Sequence, residues 1–462
     1  MAPDDPAAAT AAAMRGLLDW AAAVRVEAIP PPVLARAVRV LADDLAAIVG
    51  ARDEPEIRRM HERTLARPRG EEATVFRGGR PRTDRLSAAA ANGLAADWLE
   101  LDEGYRKAPC HAGLYLVPAL LAECEAHALR WRDMLRAIAV GYEIVTRVAR
   151  AWKQPRDVMQ SHGRYSAVGA AAAVALARNA DSELLRAAVN GAVTLVTPAP
   201  RDHLVAGALS RNVWPAAGAW AGTMSVDWAE CGIGGVDSAF HDVYTTVHGG
   251  TADPRVLGAG LGIDWAILDG YFKIHACCQN LHSAVEAALT LAAGLPPGTG
   301  PDDITAIAVA ANPPALPLAN ARPVTTLGAK FSLPHAVAAA LVTGSGGADA
   351  FSAVALADPR IARLRALVTI TPYLPLPAPP DDRPARVVLR LADGRTFAGE
   401  CLSAQGGADR PFPPSVVAAK IAALTAPVYP RFAAVFAQLM QSPLGPAPET
   451  TWPALLDRLC AP

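Results

Sequence analysis

The chain has 462 residues, 52% of them apolar, with 43 Lys+Arg against 44 Asp+Glu and a formal net charge of −1. That length suits two or three domains with a large core. The balanced charge, with no basic stripe and few aromatics, excludes a nucleic-acid surface, and no uncharged apolar run reaches the roughly 20 residues a membrane helix needs.

Residues 1–9 read as an unstructured tail, with acids before the apolar run and no basic leader region of a secretory signal. Thr10 to Val24 reads as an amphipathic helix carrying Leu17, Leu18, Trp20 and Ala21 on one side. Pro30-Pro31-Pro32 breaks the chain before VLARAVRVLADDLAAIVGA, whose apolar spacing near 3.6 predicts a helix ending at Gly50. Glu54 to Arg67 reads as a charged surface helix. ATVFRGGRPRTD (73–84) is a short strand or loop with a Gly-Gly turn, and Thr83 or Asp84 is placed to cap the next helix.

Ser87 to Leu129 is the stretch around which the chain is organised. Two Ala/Leu-rich helical flanks enclose ELDEGYRKAPCH (100–111), with three acids, two bases and a histidine in twelve positions. Burying such groups is costly unless they are paired or meet a ligand, so the insert is expected to face a cavity between two core helices. A long helix, WRDMLRAIAVGYEIVTRVARAW, follows. A second polar loop then delivers His162, Arg164 and Tyr165 to the start of the alanine helix AVGAAAAVALARNA. Asp181 to Val196 reads as the next helix. Arg211 and Trp214 lead into another small-residue helix. After a Gly-rich stretch at 241–270, YFKIHACCQNLHSAVEAAL puts Lys273, His275, Cys277, Cys278, Asn280 and His282 at a further helix start.

Composition changes near Pro296. ITAIAVAAN (304–312) and ALVTITPY alternate as strands, KFSLPHAVAAALVTG reads as a helix ending at Gly344, and RVVLRLADGRTFAGECL reads as a hairpin turning at Asp393-Gly394. The organisation expected is an all-helical part at 1–268, a smaller α+β lid at 269–404, and C-terminal helices at 405–462 that return to the first part.

Taken singly, each polar group has an ordinary reading. The acids suit a solvated loop, His162 a satisfied core group, Arg211 a salt-bridge partner, Cys277-Cys278 two buried small residues, and His275 an exposed side chain. Seven cysteines without a CxxC pair are a poor disulfide framework, so a reducing compartment and a cytoplasmic location fit best. A zinc site from His111, His162 and His282 has no short ligand motif behind it, and no GxGxxG, Walker A or GxSxG signature is present.

What shifts the balance is repetition: four polar loops each precede a buried small-residue helix, as a convergent acid–base site requires. The same blocks resemble a known family. NGLAADWLELDEGYRKAPCHAGLYLVPALLA is similar to the NG…H-x-L-D-x-D-D…HPG…PA stretch of the MmgE/PrpD family, which contains 2-methylcitrate dehydratase, cis-aconitate decarboxylase and iminodisuccinate epimerase. SHGRYSAVGAAAAVA resembles FHPTGTxGAxxAAAA, SRNVWPAAGAWAGTMSVDWAECGIGG resembles K-x-x-H-x-G-x-A-A…GxxG, KIHACCQNLHSAVEAAL resembles KPYPCCRxxHxxIDAAL, and AKFSLPHAVAAAL resembles ARFSLPYxVAxAL. The five blocks span roughly residues 35–420.

The resemblance implies a mainly α fold, a large all-helical domain plus a smaller α+β lid with the site between them. It implies no metal or organic cofactor, a homodimer, and a small polycarboxylate as substrate. Carried over residue by residue, it marks His111, His162, Glu100, Asp102 and His282 as catalytic. Arg211, at a family lysine, joins Lys273, Arg164, Tyr105 and Lys330 as substrate-binding. The chain departs from the pattern at Glu100 for Asp, Gly104 where some members have Thr, HAG for HPG, HGRY for HPTG, and Trp214-Pro215-Ala216 for H-x-G. The expected activity is a cofactor-independent lyase, dehydratase or decarboxylase, working through a carbanion next to a carboxylate. The alternatives are an epimerase of an amino- or imino-dicarboxylate and, in another class, a non-catalytic carboxylate-binding protein.

Overall fold

The computed structural model describes residues 5–67, 70–154 and 158–461. The first helix, α1 (Pro6–Ala23), starts four residues earlier than the apolar pattern suggests. Asp5 accepts a hydrogen bond from the Ala7 N–H and Pro6 stands at the first helical position, a pairing that starts helices because it satisfies a free amide and presets φ. The expected tail is therefore helix from residue 6 onward. Next come α2 (Pro31–Gly50), α3 (Pro55–Leu65) and the two-residue strands β1 (Ala73–Thr74) and β2 (Arg82–Thr83). Gly78 and Gly79, both at positive φ, lie between these strands. Helix α4 (Arg85–Ala96) opens where Asp84 accepts from the Ser87 N–H.

The polar insert follows α4 and holds β3 (Gly104–Tyr105). Helices α5 (Ala112–Ala126) and α6 (Trp131–Ala151), strand β4 (Trp152–Lys153) and helices α7 (Ser161–Ala177), α8 (Ser182–Val193), α9 (Arg201–Val205) and α10 (Val213–Glu230) complete the first large layer. Every residue of α7 is buried. Helices α5, α6, α8 and α10 pack on it, and α4 wedges between α5 and α10. Small residues set this closeness. A Cβ on Gly222 of α10 would sit 2.5 Å from the Ala170 Cβ and 2.7 Å from the Ala171 nitrogen of α7.

The Gly-rich stretch forms short pieces: α11 (Ala239–His241), a π turn at Asp242–Val247, β5 (Thr251–Ala252), α12 (Arg255–Gly258) and β6 (Gly270–Tyr271). Beyond it lie α13 (His282–Gly294), β7 (Ile304–Ala311), α14 (Thr326–Lys330), α15 (Leu333–Thr343), α16 (Ala353–Ala357), α17 (Pro359–Ala366), β8 (Val368–Pro372), β9 (Ala385–Leu391) and β10 (Thr396–Cys401). The sheet order is β10-β9-β7-β8, with β7 and β8 parallel and the other pairs antiparallel. On β9, Ala385, Val387, Leu389 and Leu391 alternate inward, the period-2 pattern of a sheet covered on one face. The covering helix is α13, with α15 and then α17 behind it. Gly344 ends α15 in the left-handed region, and Gly394 turns the β9–β10 hairpin. The last helices, α18 (Pro414–Thr425), α19 (Phe432–Gln441) and α20 (Trp452–Leu459), leave the sheet: α18 and α19 pack on α2, and α20 on α5 and α6. Among the described residues no helix is long and apolar enough to cross a membrane.

Gly222→Val is expected to overpack the α7–α10 contact and cost about 1–3 kcal/mol. The urea midpoint of the variant measures it, with an unchanged slope showing that the native state is the one affected.

Candidate active site

Five segments bring their polar groups to one buried place. The turn after α4 supplies Asp97, Glu100, Asp102 and Glu103. The starts of α5, α7 and α10 supply His111, His162 and Arg211. The chain after β6 supplies Lys273. Antiparallel pairing of β3 with β6, Gly104 opposite Tyr271 and Tyr105 opposite Gly270, fixes the first segment against the last.

Asp102 is the shared member. Its Oδ2 lies 2.7 Å from His111 Nδ1, and its Oδ1 accepts from Lys273 Nζ at 3.0 Å. Lys273, the ammonium beside it, and His111 hold the carboxyl well below its ordinary range against the effect of burial. Lys273 also reaches Glu100 Oε2 at 3.6 Å. Arg211 bridges Asp97 and Glu100, binding Glu100 Oε1 at 2.5 Å and also Asp97 Oδ2. Burial pushes the Asp97 and Glu100 carboxyls up, and Arg211 opposes it. Glu100 sits at φ +54°, a left-handed conformation that costs a non-glycine residue roughly 1–2 kcal/mol. Its two ion pairs hold it there.

The histidines stand ring edge to ring face. Their centroids are 5.0 Å apart with planes at 89°. His162 is fully buried, and Tyr115 Oη lies 3.0 Å from its Nδ1. Its Nε2 is 3.1 Å from Asp97 Oδ2, but the alignment is poor and that nitrogen has no hydrogen bond. Burial, then Arg211 and His111, lower its pKa well below the ordinary value, so the ring is neutral near pH 7. His111 keeps a side-chain exposure of 16%, whereas its neighbours Asp97, Glu100, Asp102, His162, Arg211 and Lys273 show 3% or less.

A second tier supports this one. Asp44 of α2 accepts from the Glu103 N–H at 3.1 Å. Glu103 accepts from the Gly113 N–H at 2.7 Å and from the Tyr142 hydroxyl at 2.9 Å. Burial pushes Glu103 up to about 7 and Asp44 well above its ordinary value. Asp43, beside it, is paired with Lys420 of α18 at 2.5 Å.

Of the residues singled out in the sequence, Glu100, Asp102, His111, His162, Arg211 and Lys273 meet directly. Lys330 is one step out: buried, it donates to the Trp98 carbonyl at 2.6 Å, in the turn that bears the acids. His282 stands outside that set but near enough to feel the Lys273 charge, with its Nε2 3.1 Å from the Cys277 carbonyl and its ring 5.2 Å from that of His275. His275 is thus buried, not exposed as its position suggested, because the two imidazoles pack edge to face. Arg164 is not brought to the cluster; it donates to the Met159 carbonyl and lies over the Tyr165 ring. Neither is Tyr105, whose charged neighbours are Arg150, Asp269 and Glu143. Directly opposed residues of a ladder share a face and successive ones alternate, so Tyr271, opposite Gly104, turns toward His111 while Tyr105 turns away. The ring centroids of Tyr271 and His111 are 6.4 Å apart. Asp97, Asp44, Tyr115 and Tyr271 are additions to the sequence reading.

By spacing, Asp97, Glu100 and Asp102 could offer donor oxygens to a cation. Each is already bound by Arg211 or Lys273, so every carboxylate of the set has a cationic partner among the protein's own side chains. His111, His162 and His282 do not form a common ligand set among the described residues. Two shallow hollows, one along Met60, Arg63 and Ser87 and the other beside Trp131 and Pro446, touch none of these groups.

A helical core holds buried histidines and carboxylates beside fixed cations, with a small mixed sheet in the C-terminal region. Residues 15–250 match the MmgE/PrpD N-terminal domain and residues 275–442 the MmgE/PrpD C-terminal domain. The chain belongs to the MmgE/PrpD family, a family of lyases such as cis-aconitate decarboxylase and 2-methylcitrate dehydratase. It is 27% identical over 411 residues to a cis-aconitate decarboxylase-like protein of Aspergillus oryzae, covering 82% of this chain and 84% of that one. It is 28% identical over 299 residues to a cis-aconitate decarboxylase of Aspergillus terreus, covering 58% of each.

The raised Glu103 pKa predicts a pH effect with a definite sign. Folded Glu103 keeps its proton to about pH 7, whereas the unfolded chain releases it near 4.5. The folded state therefore holds the extra proton inside that window, and stability falls as pH rises through it. Melting temperature plotted against pH is expected to fall less steeply there in Glu103→Gln than in the parent protein.

Proposed function

We propose that this protein is a cofactor-independent lyase acting on a small di- or tricarboxylate through a carbanion next to a carboxylate. The observation that carries this reading is the pair of perpendicular histidines 5.0 Å apart, beside carboxylates whose two counter-cations, Arg211 and Lys273, are buried with them. Fixed cations in a water-poor place stabilise charge that develops on a substrate carboxylate, and they need no reorganisation to do so.

The division of labour follows from the contacts. Asp102 orients His111 through Nδ1, leaving Nε2 to exchange a proton. His162, neutral and unpartnered at Nε2, is the second proton carrier. An incoming carboxylate competes with Glu100 for Arg211, and Glu100, with its raised pKa, takes up a proton when displaced. In decarboxylation the C–C bond breaks, carbon dioxide leaves, and a histidine protonates the electron pair left on carbon. In dehydration one histidine removes a C–H proton, the pair forms the double bond, and hydroxide leaves with a proton from the other. Arg211 remains a charge partner only, since a guanidinium does not give up its proton near neutrality. Lys330 steadies the acid-bearing turn through Trp98, and His282 backs Lys273 from the lid side.

A second reading, epimerisation of an amino- or imino-dicarboxylate, is favoured by the charge count. Three carboxylates face two cations in the cluster, which suits a substrate carrying a cationic nitrogen. Incubation with cis-aconitate and with amino-dicarboxylates in deuterated water, followed by NMR, separates the readings. Loss of carbon dioxide or a new alkene supports the lyase. Deuterium at an α-carbon with nothing lost supports the epimerase. Binding without exchange leaves a carboxylate-binding protein.

His162→Ala is expected to lower turnover at least about 10²-fold, the usual contribution of a positioned acid or base. Near-parental turnover in that variant would remove His162 from the mechanism.

A further inference from the structure

We propose that the Tyr271 hydroxyl donates a hydrogen bond to a carboxylate of the bound substrate, and that Gly104 lacks a side chain to leave it room. The inference rests on the carboxylate-substrate reading above and names a recognition group within that site.

Three observations support it. The first is direction. Tyr271 faces Gly104 across the β3–β6 ladder, on the same side as the acid-bearing turn, with its ring near His111. Lys273, two residues further along, and Asp102 are among the charges that act on its hydroxyl. So is Arg383, which forms no ion pair among the described residues and adds positive charge from the lid side.

The second is space. A Cβ at position 104 would lie 2.5 Å from the Tyr271 Cζ, with the hydroxyl closer still. Gly104 is not at positive φ, so its backbone does not require glycine. The ring of Tyr271 does.

The third is an unmet hydrogen bond. Tyr271 is 6% exposed, yet among the described residues its hydroxyl has no partner, although Tyr115 and Tyr142 beside the same cluster each have one. The hydroxyl therefore keeps its proton free for a ligand oxygen. Burial also raises the phenol above its ordinary value, so the group remains a donor at working pH and does not serve as a base.

The test uses tricarballylate, a saturated tricarboxylate that offers the anionic groups without the reactive double bond, together with cis-aconitate, by titration calorimetry on the full chain. Tyr271→Phe removes one oxygen and keeps the ring; it is expected to weaken tricarballylate binding about tenfold or more. Tyr271→Val opens the space over residue 104, and Gly104→Ser combined with Tyr271→Val returns a hydroxyl from the opposite strand. The double variant is expected to bind at least about threefold tighter than Tyr271→Val alone, a recovery that lost ring packing would not produce. Parental affinity in Tyr271→Phe, or a double variant no tighter than Tyr271→Val, overturns the assignment while leaving the lyase reading in place. If the parent protein binds neither acid, the carboxylate reading falls and this one with it.

Discussion

The two oxygens of Asp102 hold the buried polar cluster together. One orients His111 at the start of α5; the other binds Lys273, which arrives from the chain after β6. Charge buried to this extent persists only where each group has its counterpart. Removing one partner of such a pair leaves a lone buried charge, at a cost of about 3–5 kcal/mol. The same constraint extends outward. Arg211 is held by Asp97 and Glu100, and the turn between those acids is fastened by Lys330 on the Trp98 carbonyl. The turn after α4 and the chain after β6 are therefore joined by ion pairs at this point.

Closely packed small-residue helices make that arrangement possible. With α7 wholly buried and α10 drawn onto it by glycine and alanine, the helix starts carrying His162 and Arg211 come within reach of the turn after α4. The second tier, Asp44 with Glu103, sits behind the first and fixes the insert to α2 and to the start of α5. Its carboxyls are adjacent and dry, and burial favours their protonated forms. The outer tier thus works with charged groups and the inner one with protons held in place.

Much of this was legible in the chain. The polar insert at 100–111, the four loops leading into small-residue helices and the strand alternation beyond 300 all express local rules of periodicity and capping. So do the cap at Asp84 and the turn at Gly394. The rest depended on non-local geometry. Asp97 ends an alanine-rich helix and reads as an ordinary boundary residue until Arg211 and His162 arrive from over sixty residues away. Asp43-Asp44, two acids inside an apolar helix, was a signal of burial that the 3.6 pattern hid. Tyr105 and Tyr271 could be told apart only by the ladder, since which face a strand residue occupies depends on its pairing partner. His275 looked exposed because nothing in the sequence shows that His282 would stack on it.

The uneven exposure of the cluster has a consequence for proton traffic. His111 alone in this group reaches solvent, while the other charged members and His162 are sealed. Among the described residues of the cluster, His111 is therefore the group that a proton or an incoming acid meets first, and the carboxylates behind it are reached past that ring.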